Sequence, residues 1–318
     1  MRILAYLAAG LGAIAAACQA PEPAPAPLTD YRLVDLTSTF SRIYDDTATL
    51  PDDQRLAALK AELTPRFPQF YRARDQADPA SLAEYDTRLL AALNGFPELR
   101  TRYEAVARGF PAMIDSALAT FRETLPGLRP LGDIHLLHSI SEMDGGTRSG
   151  VGVTYFIFGA DVIARIHAPG SEQPFFHHEL FHIYHGQTFT DCEPIWCNVW
   201  MEGLAVLAAQ ELNPGATDAQ LLLSLPQPIR AAVDANFVEA VCAVRARLDS
   251  ESMDDYRPLF NFRPLNERLP PRFGYYVGLR VAAEARKSMS LAELARLNPA
   301  RARPVVDAAF DRLATCPA

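Results

Sequence analysis

The chain has 318 residues, of which 49% are hydrophobic and 21% charged, an ordinary globular composition with enough apolar material for one large domain or two subdomains. Its formal net charge of −8 gives no electrostatic footing for nucleic acid, so that class of partner is set aside.

Residues 1–18 stand apart from the fold. Arg2 supplies a short positive segment, and Ile3 to Ala17 is an uncharged apolar run, too short for a comfortable membrane span and ending in small residues. This is the pattern of a secretory signal peptide. Ala15-Ala16-Ala17-Cys18 looks like a lipobox, which would leave Cys18 as the lipidated first residue of an exported, membrane-anchored protein. Ala15 stands where Leu is usual, and Ala15 with Ala17 also fits ordinary signal-peptidase cleavage. Gln19 rather than Asp follows the cysteine, which points to the outer membrane if the source is Gram-negative. Residues 19–28 are Pro/Ala-rich, an extended and stiff tether.

Four further cysteines suit an oxidising compartment. Cys192 and Cys197 flank Pro194 closely enough for a local bridge, which leaves Cys242 to pair with Cys316 and tie down the C-terminal tail.

From 29 to 128 the pattern is helical throughout, a helical subdomain. Leu56, Leu59 and Leu63 share a face after Pro51-Asp52-Asp53. Asp78-Pro79 caps a helix carrying Leu82, Tyr85, Leu89, Leu90 and Leu93, with Asn94-Gly95 expected to end it. Pro97 to Leu125 continues in helix, with a break expected at Gly109-Phe110-Pro111.

The pattern changes within the second region, 129–318. Ile134 to Ile140 reads as a strand, Asp144-Gly145-Gly146 as a turn, and Gly150 to Phe158 as a second strand. His135 and His138 point to opposite faces of such a strand and read as structural or surface residues. The segment 171–185 reads as a helix with Pro174 near its first turn. Val199 to Leu212 reads as another, with Glu202 in its first turn, and 217–250 as one or two more, opened by a Thr217-x-x-Gln220 box. Ser290-x-x-Glu293 caps a later one. The fold class expected is α+β, mostly helical, with a small sheet beside a central helix.

That central helix carries His178-Glu179-Leu180-Phe181-His182, an H-E-x-x-H sequence. Positions four apart lie on one helical face, so His178 and His182 can hold one metal ion between their imidazoles, with Glu179 reaching a water beside it. Zinc then needs a third protein ligand and an open position. Glu202, in Asn198-Val199-Trp200-Met201-Glu202-Gly203-Leu204-Ala205, is the candidate for that ligand; Asp191, Glu193 and Glu211 are weaker substitutes. His185 reads as a neighbour of the site rather than a ligand. Thr188 stands where a metzincin would have its third histidine.

Over residues 174 to 210 this constellation resembles the gluzincin metallopeptidases, the thermolysin-like group, and the E-G-L-A run looks like bacterial predicted zinc-dependent proteases. The resemblance implies Zn2+ held by His178, His182 and Glu202, a peptide or protein substrate, and hydrolysis by zinc-activated water with Glu179 as general base. It also implies a sheet whose edge strand pairs with an extended peptide, for which Val153 to Phe158 is the candidate. A tyrosine in Gly274-Tyr275-Tyr276-Val277-Gly278 would face the oxyanion: Tyr275 first, Tyr276 second. One turn after Glu202, where the thermolysin-like enzymes carry an Asp that orients a zinc histidine, stands Val206. Two other readings belong to other classes: a non-catalytic tethered lipoprotein with a structural metal site, and a zinc hydrolase of a non-peptide amide.

Overall fold

The structure is a computed structural model that describes residues 30–150 and 153–316; the signal peptide, Cys18 and the tether lie outside the described residues. The fold is α+β and mostly helical. It runs β1 (Tyr31–Asp35), α1 (Thr37–Thr47), α2 (Asp52–Leu63), α3 (Pro79–Thr124), β2 (Gly132–Leu137), β3 (Gly145–Gly150), β4 (Val153–Gly159) and α4 (Ala160–Ile166). Then follow α5 (Gln173–His185), α6 (Ile195–Leu212), α7 (Ile229–Ala235), α8 (Phe237–Arg245), α9 (Met253–Phe260), α10 (Phe273–Arg286), α11 (Leu291–Ala295) and α12 (Pro299–Leu313).

The sheet has the order β1-β2-β4-β3. β1 pairs parallel to β2 with Tyr31 opposite Gly132, β2 pairs parallel to β4, and β3 runs antiparallel to β4 with Gly145 opposite Phe158. Three expectations are corrected here. The segment 29–128 is not helical throughout, because Tyr31–Asp35 is a strand; its pairing with β2 crosses the expected boundary at 128/129. Asp144-Gly145-Gly146 is not a turn between strands but leads into β3. The edge strands are β1 and β3, with β3 the one on the cleft side, and Val153–Gly159 lies inside the sheet with partners on both sides.

The third helix shows packing overriding local propensity. Asp78 caps it by accepting from the backbone N–H groups of Ala80 and Ser81. It runs unbroken for 46 residues in all, through Asn94-Gly95 and Gly109-Phe110-Pro111, where breaks were expected, and through Pro97. Each internal proline removes a hydrogen bond and crowds the preceding turn. The continuous buried row Leu89, Leu93, Phe96, Tyr103, Phe110, Ile114 and Phe121 offsets that cost through apolar burial. α3 packs on α4 and α5 and so backs the helix that carries the H-E-L-F-H sequence.

Among the described residues no helix is long and apolar enough to cross a membrane. Both expected disulfides form: Cys192–Cys197 across five positions and Cys242–Cys316 across 74. The first closes the loop that leads into α6, and the second ties the C-terminal segment to α8. Ser290 and Glu293 make the expected reciprocal cap at α11. The bonds between Thr217 and Gln220 also form, but turns rather than a regular helix follow until α7.

Candidate metal centre and cleft

α5 is apolar on most of its circumference. Phe175, Phe176, Leu180 and Phe181 are buried, and Pro174 in the first turn suits a position whose N–H has no intrahelical partner. The face left free carries His178 and His182. α6 is hydrophobic nearly all round, as a helix buried on every side must be, and packs against both α5 and α10. It starts at Ile195, four residues before the expected start, so Glu202 lies two turns in rather than in the first turn. A helix-terminus role for Glu202 is thereby removed.

The two helices bring three ligand atoms to one point. His178 Nε2 and His182 Nε2 are 3.1 Å apart, and Glu202 Oε2 lies 3.3 Å from the first and 3.4 Å from the second. Atoms bound about 2.0–2.1 Å from a tetrahedral zinc are separated from one another by about 3.3 Å, so this triangle has the edges of such a site. Glu202 Oε2 is buried and within ion-pair distance of both rings, yet no N–H is aligned on it. A buried carboxylate oxygen without a donor is costly, and a cation at the centre of the triangle satisfies it. Among the described residues this is the one group of His, Cys, Asp or Glu side chains with metal-binding geometry. The residues fit zinc.

The three side chains remain partly open: His178 is 14%, His182 23% and Glu202 21% exposed. They look into a cleft of about 440 Å3 that is also lined by Asp144, Gly145, Gly146, Thr147, Glu179, Met201, Leu221, Leu222, Arg272 and Tyr275. An open position suits a catalytic rather than a purely structural site.

Electrostatics follow from burial. Burial pushes the Glu179 carboxyl up to about 8, the positive charge of His182 opposing that rise. Burial would raise the Glu202 carboxyl too, but attraction to His182 wins and holds it well below the usual carboxylate range. Burial disfavours the His182 imidazolium, but the Glu202 carboxylate outweighs it and lifts the ring to about 9. His178 is pushed down, chiefly by burial. A bound dication would reverse this balance, favouring neutral imidazoles and an ionised Glu179.

The two tyrosines separate. Tyr275 lines the cleft, and burial keeps its O–H protonated. Tyr276 turns away, and its O–H donates to Asp234 Oδ1 at 2.9 Å. His185 is fully buried and lines the cleft, stacked between Phe181 and Phe189 with Nδ1 2.9 Å from the Ala295 carbonyl. His177 faces the other way, to Thr120 and Asn213. His135 and His138 are buried and stack on Phe67 and Phe40, outside the cleft. Glu211 pairs with Arg286 at 3.0 Å, and neither Asp191 nor Glu193 reaches the cleft. Val206 is buried.

Sequence reasoning missed Asp144 and Arg272 as cleft residues. Asp144 sits 3.1 Å from His167 Nε2, and its Gly-Gly neighbours disguised it as part of a turn. Arg272 precedes α10 and carries no motif signal. Compared with known proteins, the chain matches no protein-family model, no curated protein and no solved structure.

Proposed function

We propose that this chain is an exported zinc-dependent metallopeptidase, gluzincin-like in its ligand set and lipid-anchored through Cys18. The observation that carries this reading is the triangle of His178, His182 and Glu202 opening into a cleft beside the buried carboxylate of Glu179.

His178 Nε2, His182 Nε2 and Glu202 Oε2 would hold the ion. Zinc, when bound, supplies Lewis-acid charge that makes water nucleophilic at neutral pH. Glu179 takes a proton from the attacking water on a carboxylate oxygen and passes it to the leaving amine nitrogen. β3 passes close to this carboxyl: a Cβ on Gly145 would lie 3.0 Å from Glu179 Cγ and 2.7 Å from the Phe175 ring. Tyr275 directs its O–H at the developing oxyanion. The free edge of β3, Gly145–Gly150, offers main-chain groups to an extended peptide where Val153–Gly159 does not. The two disulfides agree with life outside the cytoplasm.

The test is hydrolysis of a mixed pool of short peptides and non-peptide amides by the zinc-loaded protein and by Glu179→Gln. The variant should keep its zinc and lose turnover by several orders of magnitude. Undiminished peptide hydrolysis in the variant would remove Glu179 from its role. Cleavage of the amides alone would replace the peptidase reading by an amidohydrolase one.

A further inference from the structure

Arg272 sets a second polar feature in the cleft. It is only 9% exposed, yet it lines the same cavity as the three ligand residues. Its guanidinium lies 4.7 Å from the ring centre of Tyr275 and 5.4 Å from that of Phe262. Of its five N–H donors, Nη1 reaches the Leu225 carbonyl at 3.4 Å and the guanidinium also engages the Tyr275 hydroxyl, which leaves most of the fork without a partner. Among the described residues no carboxylate pairs with it, although most arginines of this chain have such a partner. Of the three acidic groups of the cleft, Asp144 faces His167, Glu202 faces the two imidazoles, and Glu179 makes no ion pair with Arg272.

A buried cation without a counter-charge is costly, and stacking on two rings offsets only part of that cost. Its backbone is also held in the left-handed region at φ +66°, as is that of Leu222 at φ 56° across the same cavity. Non-glycine residues adopt that region uncommonly, and it gathers at sites where a side chain must be aimed. The planar guanidinium fork matches a carboxylate with two parallel hydrogen bonds.

We propose that Arg272 is the substrate-carboxylate subsite of this cleft, so that the preferred substrates are short peptides with a carboxylate close to the scissile bond. This rests on the peptidase reading. The Tyr275 ring links the two functions, since Arg272 lies against it while Tyr275 itself lines the cleft beside the ligands. The carboxylate can come from two sources, a free C-terminus or an Asp or Glu side chain, and both present the same planar anion.

The experiment uses the zinc-loaded mature protein, Arg272→Gln and Arg272→Lys. The probes are N-acetylated tripeptides made as C-terminal acid and C-terminal amide, each with Glu or Gln at the internal positions. Binding by calorimetry and kcat/KM are both read. The wild type should favour a carboxylate-bearing probe over its neutral twin by about tenfold to a hundredfold, the scale of one charge-assisted pair. That ratio should collapse to about one in Arg272→Gln and be partly kept in Arg272→Lys, which retains the charge without the fork. A ratio that follows the C-terminus assigns an exopeptidase subsite, and one that follows internal Glu assigns a side-chain subsite. Equal handling of acid and neutral probes by the wild type, a preference that survives in Arg272→Gln, or no binding of any probe would overturn the proposal. Arg272-dependent binding without Glu179-dependent hydrolysis would leave the subsite standing and remove the peptidase reading.

Discussion

Gly203 of α6 and Gly278 of α10 meet backbone to backbone. A Cβ on Gly203 would fall 2.2 Å from the Gly278 carbonyl oxygen, and one on Gly278 would fall 2.5 Å from the Val199 carbonyl oxygen. Glycine inside a helix costs about 1 kcal/mol relative to alanine, so two at one crossing mark a contact that other residues would hold apart. The crossing sets the distance between Glu202, next to the first glycine, and Tyr275, one turn before the second. Gly203→Ala should therefore lose about 1–3 kcal/mol in chemical denaturation and bind zinc more weakly. Gly95→Ala is the control, since nothing lies within 4 Å of the added methyl. It should gain about 0.5–1 kcal/mol and leave zinc affinity alone. Equal effects at both positions would mean that the glycine crossing does not set the geometry of the zinc site.

The tyrosine pair separates turnover from stability. Tyr275→Phe removes the hydroxyl from the cleft and should lower kcat by about a hundredfold or more, with little change in fold stability. Tyr276→Phe loses the hydrogen bond to Asp234, which also receives Arg280 at 3.2 Å. It should cost about 1 kcal/mol in urea unfolding and leave kcat within a fewfold. The reverse pattern would exchange the two roles.

His185 gives the pH dependence. Burial pushes its imidazole down to about 4, against the opposing hydrogen bond to Ala295. Between about pH 6.5 and pH 4 the unfolded chain holds a proton on this ring that the folded chain lacks. Stability therefore rises with pH across that window and is lost on acidification, by about 3 kcal/mol in all from this group. Urea unfolding of metal-free protein at about pH 7 and about pH 4.5 should show a loss roughly 2 kcal/mol larger in the wild type than in His185→Gln. Equal losses would mean that the ring does not titrate in this way.

What the sequence revealed and what it hid follow from the range of the forces involved. The α5 histidines and the Glu202 partner were legible because a four-residue spacing fixes one face of a helix, and one short loop joins α5 to α6. The Cys192–Cys197 bridge was legible because its partners are neighbours in sequence. β1 was hidden because five residues acquire strand character only through a parallel partner a hundred positions on. Gly145 and Gly146 carry a turn signature, but they stand where β3 grazes α5, and a Cβ on Gly145 would be 2.7 Å from Phe175. Gly95, Pro97 and Pro111 carry helix-ending signals that the buried row of α3 overrides. Arg272 was silent because its meaning lies in the missing counter-charge, which only the assembled cleft displays.

A three-ligand zinc site can be counted without knowledge of the substrate. The measurement is zinc per chain, after resupply and removal of excess metal, for the wild type, His182→Ala and Glu202→Ala, with circular dichroism confirming the fold of each. About one zinc per wild-type chain is expected, lost or much weakened in both variants. A well-folded wild type that takes up no zinc, or variants that hold it as tightly as the wild type, would contradict it.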